Sequence, residues 1–131
     1  GLAGAVNQLL QRTAVWTVAF AHDCYLKEQR RADYRPRPED DAAGEPNSRC
    51  CLQLTAFVTK VARAVQAELD ADIATAWLAD VGVRVFRALL EHIRRFTINE
   101  FGAMLLARDM ARYEEVVRQE FPEAARTVLA P

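Results

Sequence analysis

Glycine is scarce in this sequence. The five glycines stand at 1, 4, 44, 82 and 102, and no two share the spacing of a phosphate-cradling or dinucleotide-binding loop. A G-x-S-x-G nucleophile turn is also missing. Cysteine is limited to 24, 50 and 51, an odd number with an adjacent pair, which makes a poor disulfide framework. No Asn-x-Ser/Thr site occurs. Both absences point to a reducing, cytosolic setting. No apolar run approaches the roughly 20 residues that a membrane-spanning helix needs. An excess of one charge is lacking too. Seventeen Lys and Arg against 18 Asp and Glu leave a formal charge of −1. Bulk attraction to nucleic acid or to an anionic membrane therefore has no source. Period-two alternation long enough for a strand is absent, as is any repeat of 20 to 50 residues.

What remains is helical periodicity. Hydrophobic residues make up 51% and charged residues 27%, ordinary for a globular chain. Residues 1–131 read as a single helical domain or a fragment of one. The start, Gly-Leu-Ala-Gly, has neither Met nor a basic signal-peptide head and reads as the edge of a fragment. Helices are expected at about 2–33, 48–69, 72–96 and 98–119, with a weaker turn at 123–129. In the first, Val6, Leu9, Thr13, Trp16, Phe20 and Cys24 recur at helical spacing. Pro36, Pro38, Gly44 and Pro46 then break the pattern, and 34–46 is expected to be a mobile surface loop. Asn47 or Ser48 can cap the second helix, whose seam is Cys51, Leu54, Val58, Val61, Val65 and Leu69. Asp70 or Asp72 caps the third. Its face is Ile73, Trp77, Val81, Val85, Leu89, Ile93 and Phe96. Thr97 to Glu100 fits a capping box opening the fourth, which has Phe101, Leu105, Met110, Tyr113 and Val117 among its apolar positions. The third and fourth helices thus form a hairpin. Gly82 lets a neighbouring helix approach, and Gly102 serves the hairpin crossing.

Groups that carry chemistry do not converge. His22, Cys24, Cys50 and Cys51 lack the spacing of a zinc site, so structural cysteines are the better reading. His92 lies beside Leu89 and Phe96 and reads as a satisfied core or boundary histidine rather than half of a Cys–His pair. Glu91 with Arg95, and Asp109 with Arg112, read as pairs decorating a solvated face. Arg84, Arg87, Arg94 and Arg95 are the one cluster of like charge on a regular element. They either dock an acidic partner or lipid headgroups, or are solvated and balanced by Asp80 and Glu91; the second is the simpler reading. No catalytic, cofactor-binding or metal residue is expected.

Two stretches carry a family resemblance. One is ADVGVRVFRALLEHIRRFTIN followed by Gly102-Ala103 and MLLARDMARYEE, with Val81, Gly82, Arg84, His92, Phe96, Asp109, Met110 and Tyr113 at the characteristic positions. The other is LKEQRRADYRPRPEDD, Leu26 to Asp41. In this order they resemble the C-terminal half of the exocyst component-five (Sec-ten) family, over about residues 25 to 118. Ala103 replaces the family's second glycine, and Arg37-Pro38 are inserted. The resemblance implies an all-α antiparallel bundle, part of a CATCHR-type helical rod. It also implies a non-enzymatic, cofactor-free subunit that helps dock secretory vesicles before SNARE-mediated fusion. Its partners would be other exocyst subunits and, through the complex, small GTPases or acidic lipids, at the cytoplasmic side of the plasma membrane. Nucleic acid is not among them. A recyclin-type F-box adaptor shares a related helical region and is the alternative. A small helical enzyme or regulator would need a polar pocket inside the bundle, which these seams leave little room for.

Overall fold

The computed structural model describes residues 1–30, 32–36 and 46–129. Five helices occur among them: α1 (Leu2–Glu28), α2 (Arg49–Glu68), α3 (Ala71–Ile93), α4 (Glu100–Glu120) and α5 (Glu123–Leu129). No strand is present among the described residues. The chain is all-α, as its periodicity requires. One continuous core draws on all five helices. The central part of the 34–46 loop, residues 37–45, lies outside the described residues.

The ends of the helices follow from side-chain hydrogen bonds. α1 stops at Glu28, short of the expected 33. Asp33 accepts from the Gln29 amide at 2.7 Å and from the Arg30 N–H at 2.9 Å, offering the backbone an alternative to the helix. Of the two caps possible for α2, Ser48 is used: its Oγ accepts from Cys51 N–H at 3.2 Å. Asp70 holds the N-cap position of α3 but makes no side-chain cap bond. α3 ends at Ile93 in a tight turn, with i to i+3 bonds from Arg95 to His92 and from Phe96 to Ile93. The Thr97–Glu100 capping box does not form. Asn99 is the cap of α4, accepting from Gly102 N–H at 2.8 Å, and Glu100 is the first helical residue.

Packing departs from the sequence pattern on α1, α3 and α4 and at the α3–α4 hairpin. On α1 the buried side is Ala14, Ala21, Cys24 and Tyr25, with Leu10 and Val18 half-buried. Of the residues expected inside, only Cys24 is. Small alanines let α1 come close to α3, and two hydrogen bonds lock that approach. The Trp77 indole donates to Leu10 C=O at 3.1 Å, and the Tyr25 hydroxyl donates to Val85 C=O. On α3, Trp77, Val81, Val85, Leu89 and Ile93 are buried as expected, whereas Ile73 is exposed. The α2 seam is buried at Cys51, Leu54 and Val58 and half-buried at Val61, Val65 and Leu69. On α4, Phe101 is exposed; the inward face is Gly102, Asp109, Tyr113 and Val116. The close helix approaches are α1 with α3, α3 with α5, α2 with α4, and α2 with both α1 and α3. A tightly packed α3–α4 hairpin is not among them.

The two helix glycines mark close approaches. A Cβ at Gly82 would lie 2.9 Å from the Phe121 ring and 3.1 Å from Leu129, so α5 closes over α3 there. At Gly102 the neighbour is the loop, not a helix crossing. A Cβ there would stand 1.5 Å from the Tyr34 carbonyl oxygen. Backbone cannot yield as a flexible side chain can, so this position excludes any side chain while the loop stays. Two predictions follow from the packing. Gly102→Ala should destabilise the chain by about 1–3 kcal/mol or more, as overpacking does. Leu89→Ala should cost about 2–5 kcal/mol. Denaturant midpoints measure both; a change below about 0.5 kcal/mol at either site would contradict the contact assigned there.

Candidate functional site

The densest polar constellation centres on Asp109, which is fully buried in α4. Its Oδ2 accepts from the Tyr34 hydroxyl at 2.6 Å and from Ser48 Oγ at 2.6 Å. Its Oδ1 accepts from Ser48 N–H at 2.9 Å and from the Asn47 amide at 3.1 Å. Four donors match the four acceptor positions of a carboxylate. Ser48 also caps α2, so the carboxylate sits at the electropositive end of that helix. One side chain thereby joins the loop, α2 and α4. Asn99 extends the junction: its N–H donates to Tyr34 C=O at 3.1 Å and its side-chain amide to Pro36 C=O at 2.9 Å. Asp109 is therefore no member of a solvated pair with Arg112, as i,i+3 spacing had indicated. Nor is the start of the loop a surface segment, since Tyr34 is fully buried.

This constellation holds structure: both carboxylate oxygens are filled by donors of the chain itself. Tyr34's hydroxyl is pushed well above the usual phenol range by burial and by its bond to Asp109. The cysteines are as buried as the sequence indicated. Burial pushes the Cys50 thiol up to about 12 and raises Cys24 and Cys51 as well. Protonated thiols are neither nucleophiles nor metal ligands at neutral pH. No group of three or more His, Cys, Asp or Glu among the described residues is placed to hold a metal. His92 stacks on Tyr25 with ring centroids 5.4 Å apart and meets Phe96 edge-on at 4.9 Å. The residue is half-buried, the boundary position of the two expected, and its Nε2 is buried without a hydrogen-bond partner among the described residues.

The remaining candidates are surfaces. Arg84, Arg87, Arg94 and Arg95 are all exposed. At about 100° per residue they fall on one face of α3 and the turn that follows it. Two are engaged: Arg84 pairs with Asp80 at 3.1 Å and Arg94 with Glu91 at 2.9 Å. The Glu91–Arg95 pair suggested by spacing gives way to this shorter-range one. Arg87 and Arg95 make no ion pair among the described residues. Next to this face lies an apolar groove of about 350 Å³ between α3, α4 and α5, floored by Phe86, Leu89, Met110, Tyr113 and Val117 and edged by Arg118. Leu90, on its rim, stands three residues after Arg87 and four before Arg94. The groove's polar edge is mixed, with Glu114 beside Arg118 and Arg126.

The fold is that of an all-helical bundle segment, with Asp109 and its donors holding the loop, α2 and α4 together. Residues 2–122 match the family described as exocyst complex component Sec10-like, alpha-helical bundle, and the chain belongs to that family. Among curated proteins it is similar to exocyst complex component 5 of Oryza sativa subsp. japonica, 32% identical over 92 residues, which cover 70% of this chain and 11% of that protein. Similarity to the Homo sapiens component 5 is 25% over 91 residues, 70% of this chain and 13% of the relative. For the Drosophila melanogaster component 5 it is 26% over 114 residues, 87% and 16%. The matches thus span under a fifth of the length of these relatives. No solved structure gives a significant match.

The half-buried His92 yields a prediction on pH. Burial, then the nearby Arg95 and His22, lower the His92 pKa below its ordinary value. A histidine whose folded pKa is lowered binds its proton more readily when unfolded. Stability is therefore unaffected above the unfolded pKa near 6.5 and falls as pH drops through that value toward the folded one. Stability should decline between about pH 7 and pH 5, and His92→Phe should flatten part of that decline. Denaturant titrations at several pH values check it; identical slopes in both proteins would refute the assignment.

Proposed function

We propose that this chain is a helical-bundle segment of an exocyst subunit and works there as a non-enzymatic scaffold in vesicle tethering. The observation that carries this reading is family membership across residues 2–122, in an all-helical fold tied together at Asp109. On this reading its partners are other exocyst subunits, and its place is the cytoplasmic side of the plasma membrane at sites of secretion. Among the described residues no helix is long and apolar enough to cross a membrane. The recyclin alternative is not favoured, because the curated relatives quoted are exocyst components.

Within that role, the arginine face of α3 is the proposed docking surface, with Arg87 and Arg95, which make no ion pair among the described residues, as its cations and the adjoining groove as the apolar part. Arg94 and Arg95 also sit at the C-terminal end of α3, where a cation complements the helix dipole. The test must therefore separate docking from stability. Arg87→Glu with Arg95→Glu, made in the full-length subunit, should leave helix content and melting temperature nearly unchanged. Co-purification with other exocyst subunits should weaken by roughly ten-fold, and more at low salt, because rim charges steer association. Loss of binding to anionic liposomes with intact subunit assembly would assign the face to lipid. If assembly, liposome binding and secretion are all unchanged, the four arginines are a solvated face.

A further inference from the structure

We propose that the outward face of α1 is the seat of one more helix of the same polypeptide, lying outside these 131 residues. That helix would carry apolar side chains at alternating steps of three and four and a carboxylate abreast of Arg12. The inference rests on the fold and on family membership, and is independent of the tethering reading.

The face is defined by Leu2, Val6, Leu9, Thr13, Trp16 and Phe20. Their steps of four, three, four, three and four are those of a coiled-coil seam. Such residues belong against another helix, yet here they face outward: Leu2 is 83% exposed, Leu9 63%, Trp16 66%, Phe20 50% and Val6 42%. The opposite side of α1 is already taken, by α3 and α2. Thr13 and Thr17 do not make the face polar, because their hydroxyls donate to carbonyls of α1 itself, those of Leu9, Leu10 and Thr13. At its far end Phe20 rests on Phe57 of α2, with centroids 4.2 Å apart, which extends the apolar surface onto a second helix.

Charge separates this face from an ordinary solvated one. From Leu2 to Ala21, Arg12 is the single charged residue. The free face of α3 carries Asp80, Arg84, Arg87, Glu91, Arg94 and Arg95 over a shorter length. The α1 seam runs about 27 Å at 1.5 Å per residue. Its five large exposed side chains offer on the order of 600 Å² of apolar surface, close to the ~800 Å² per partner of a standard interface. Arg12 selects among occupants. A second copy laid antiparallel would set Arg12 beside its own equivalent. A parallel copy would set it against the flank of Leu10 and Thr17, where no carboxylate stands. A membrane surface is disfavoured too, since helices lying on anionic lipid are rich in Lys and Arg. The relatives match over only 11% to 16% of their length, so most of such a protein lies outside this segment. A helix tethered in the same chain competes at a high effective concentration.

The test is photo-cross-linking in the full-length subunit within its assembled complex. Benzoylphenylalanine replaces Leu9 or Trp16 in separate proteins, and Arg108, exposed on α4, serves as the control position. Irradiation should leave a product of single-chain mass. Peptide mapping should place both links in one helical segment outside residues 1–131, about seven residues apart, at several times the yield from position 108. Arg12→Glu should lower that yield and Arg12→Lys should keep it. A cross-linked dimer, a link to a different polypeptide, a link to lipid, or no yield above the control would each overturn the proposal.

Discussion

The buried carboxylate of Asp109 is the interaction on which the arrangement of this chain depends. A carboxylate removed from water costs several kcal/mol unless its acceptor sites are filled. Here they are filled by Tyr34, Asn47 and Ser48, three residues from the connection between α1 and α2. The connection therefore cannot leave α4 without stranding the charge, and α4 cannot shift along α2 without breaking the bond to its cap. Gly102 completes the arrangement from the other side, by giving the Tyr34 backbone room to lie against the first turn of α4. Asn99 then holds both Tyr34 and Pro36 carbonyls. Two stretches far apart in sequence, each bearing part of the family resemblance, are in this way the two halves of one contact.

Around that anchor the helices are joined by bonds that reach from side chain to backbone. Trp77 to Leu10 and Tyr25 to Val85 set the α1–α3 approach. Between α2 and α4 the Arg63 guanidinium grips both Glu120 oxygens, at 3.0 and 2.8 Å, and holds that carboxyl below the usual range. Gln66 adds a bond to Glu120 C=O at 2.6 Å. A hydrogen bond is directional, so such bonds fix where one helix sits along another, which apolar contact alone leaves loose. The outer surfaces then differ in kind. One face of α3 is charged and solvated, beside a groove left open because α3 and α4 do not close on each other. One face of α1 is apolar, nearly uncharged and bare.

Helix existence was legible in the sequence because the α2 and α3 seams repeat at steps of three and four with no competing stripe. The inward face of α1 was not. Apolar residues surround that helix, and the larger ones at Leu9, Trp16 and Phe20 outweigh the alanines that actually meet α3. Side-chain size signals hydrophobicity, whereas close helix packing selects small residues. Helix ends were misplaced by a few residues where a side chain captured the backbone, at Asp33 and Asn99. Asp109 was misread because spacing along one helix cannot show that Tyr34 and Ser48 arrive from another part of the chain.

The sequence by itself determined an all-helical fold, the positions of four long helices and a short fifth, the inward face of α3, the burial of the cysteines and the family. These depend on local periodicity and composition, which the chain carries residue by residue. Tertiary structure alone decided which face of α1 is covered, why Gly102 has no side chain, and that Asp109 gathers its four donors from beyond its own helix. Each of those depends on groups separated by more than 50 residues in the chain, and their meeting is fixed only when the chain folds and the buried carboxylate has to find its donors.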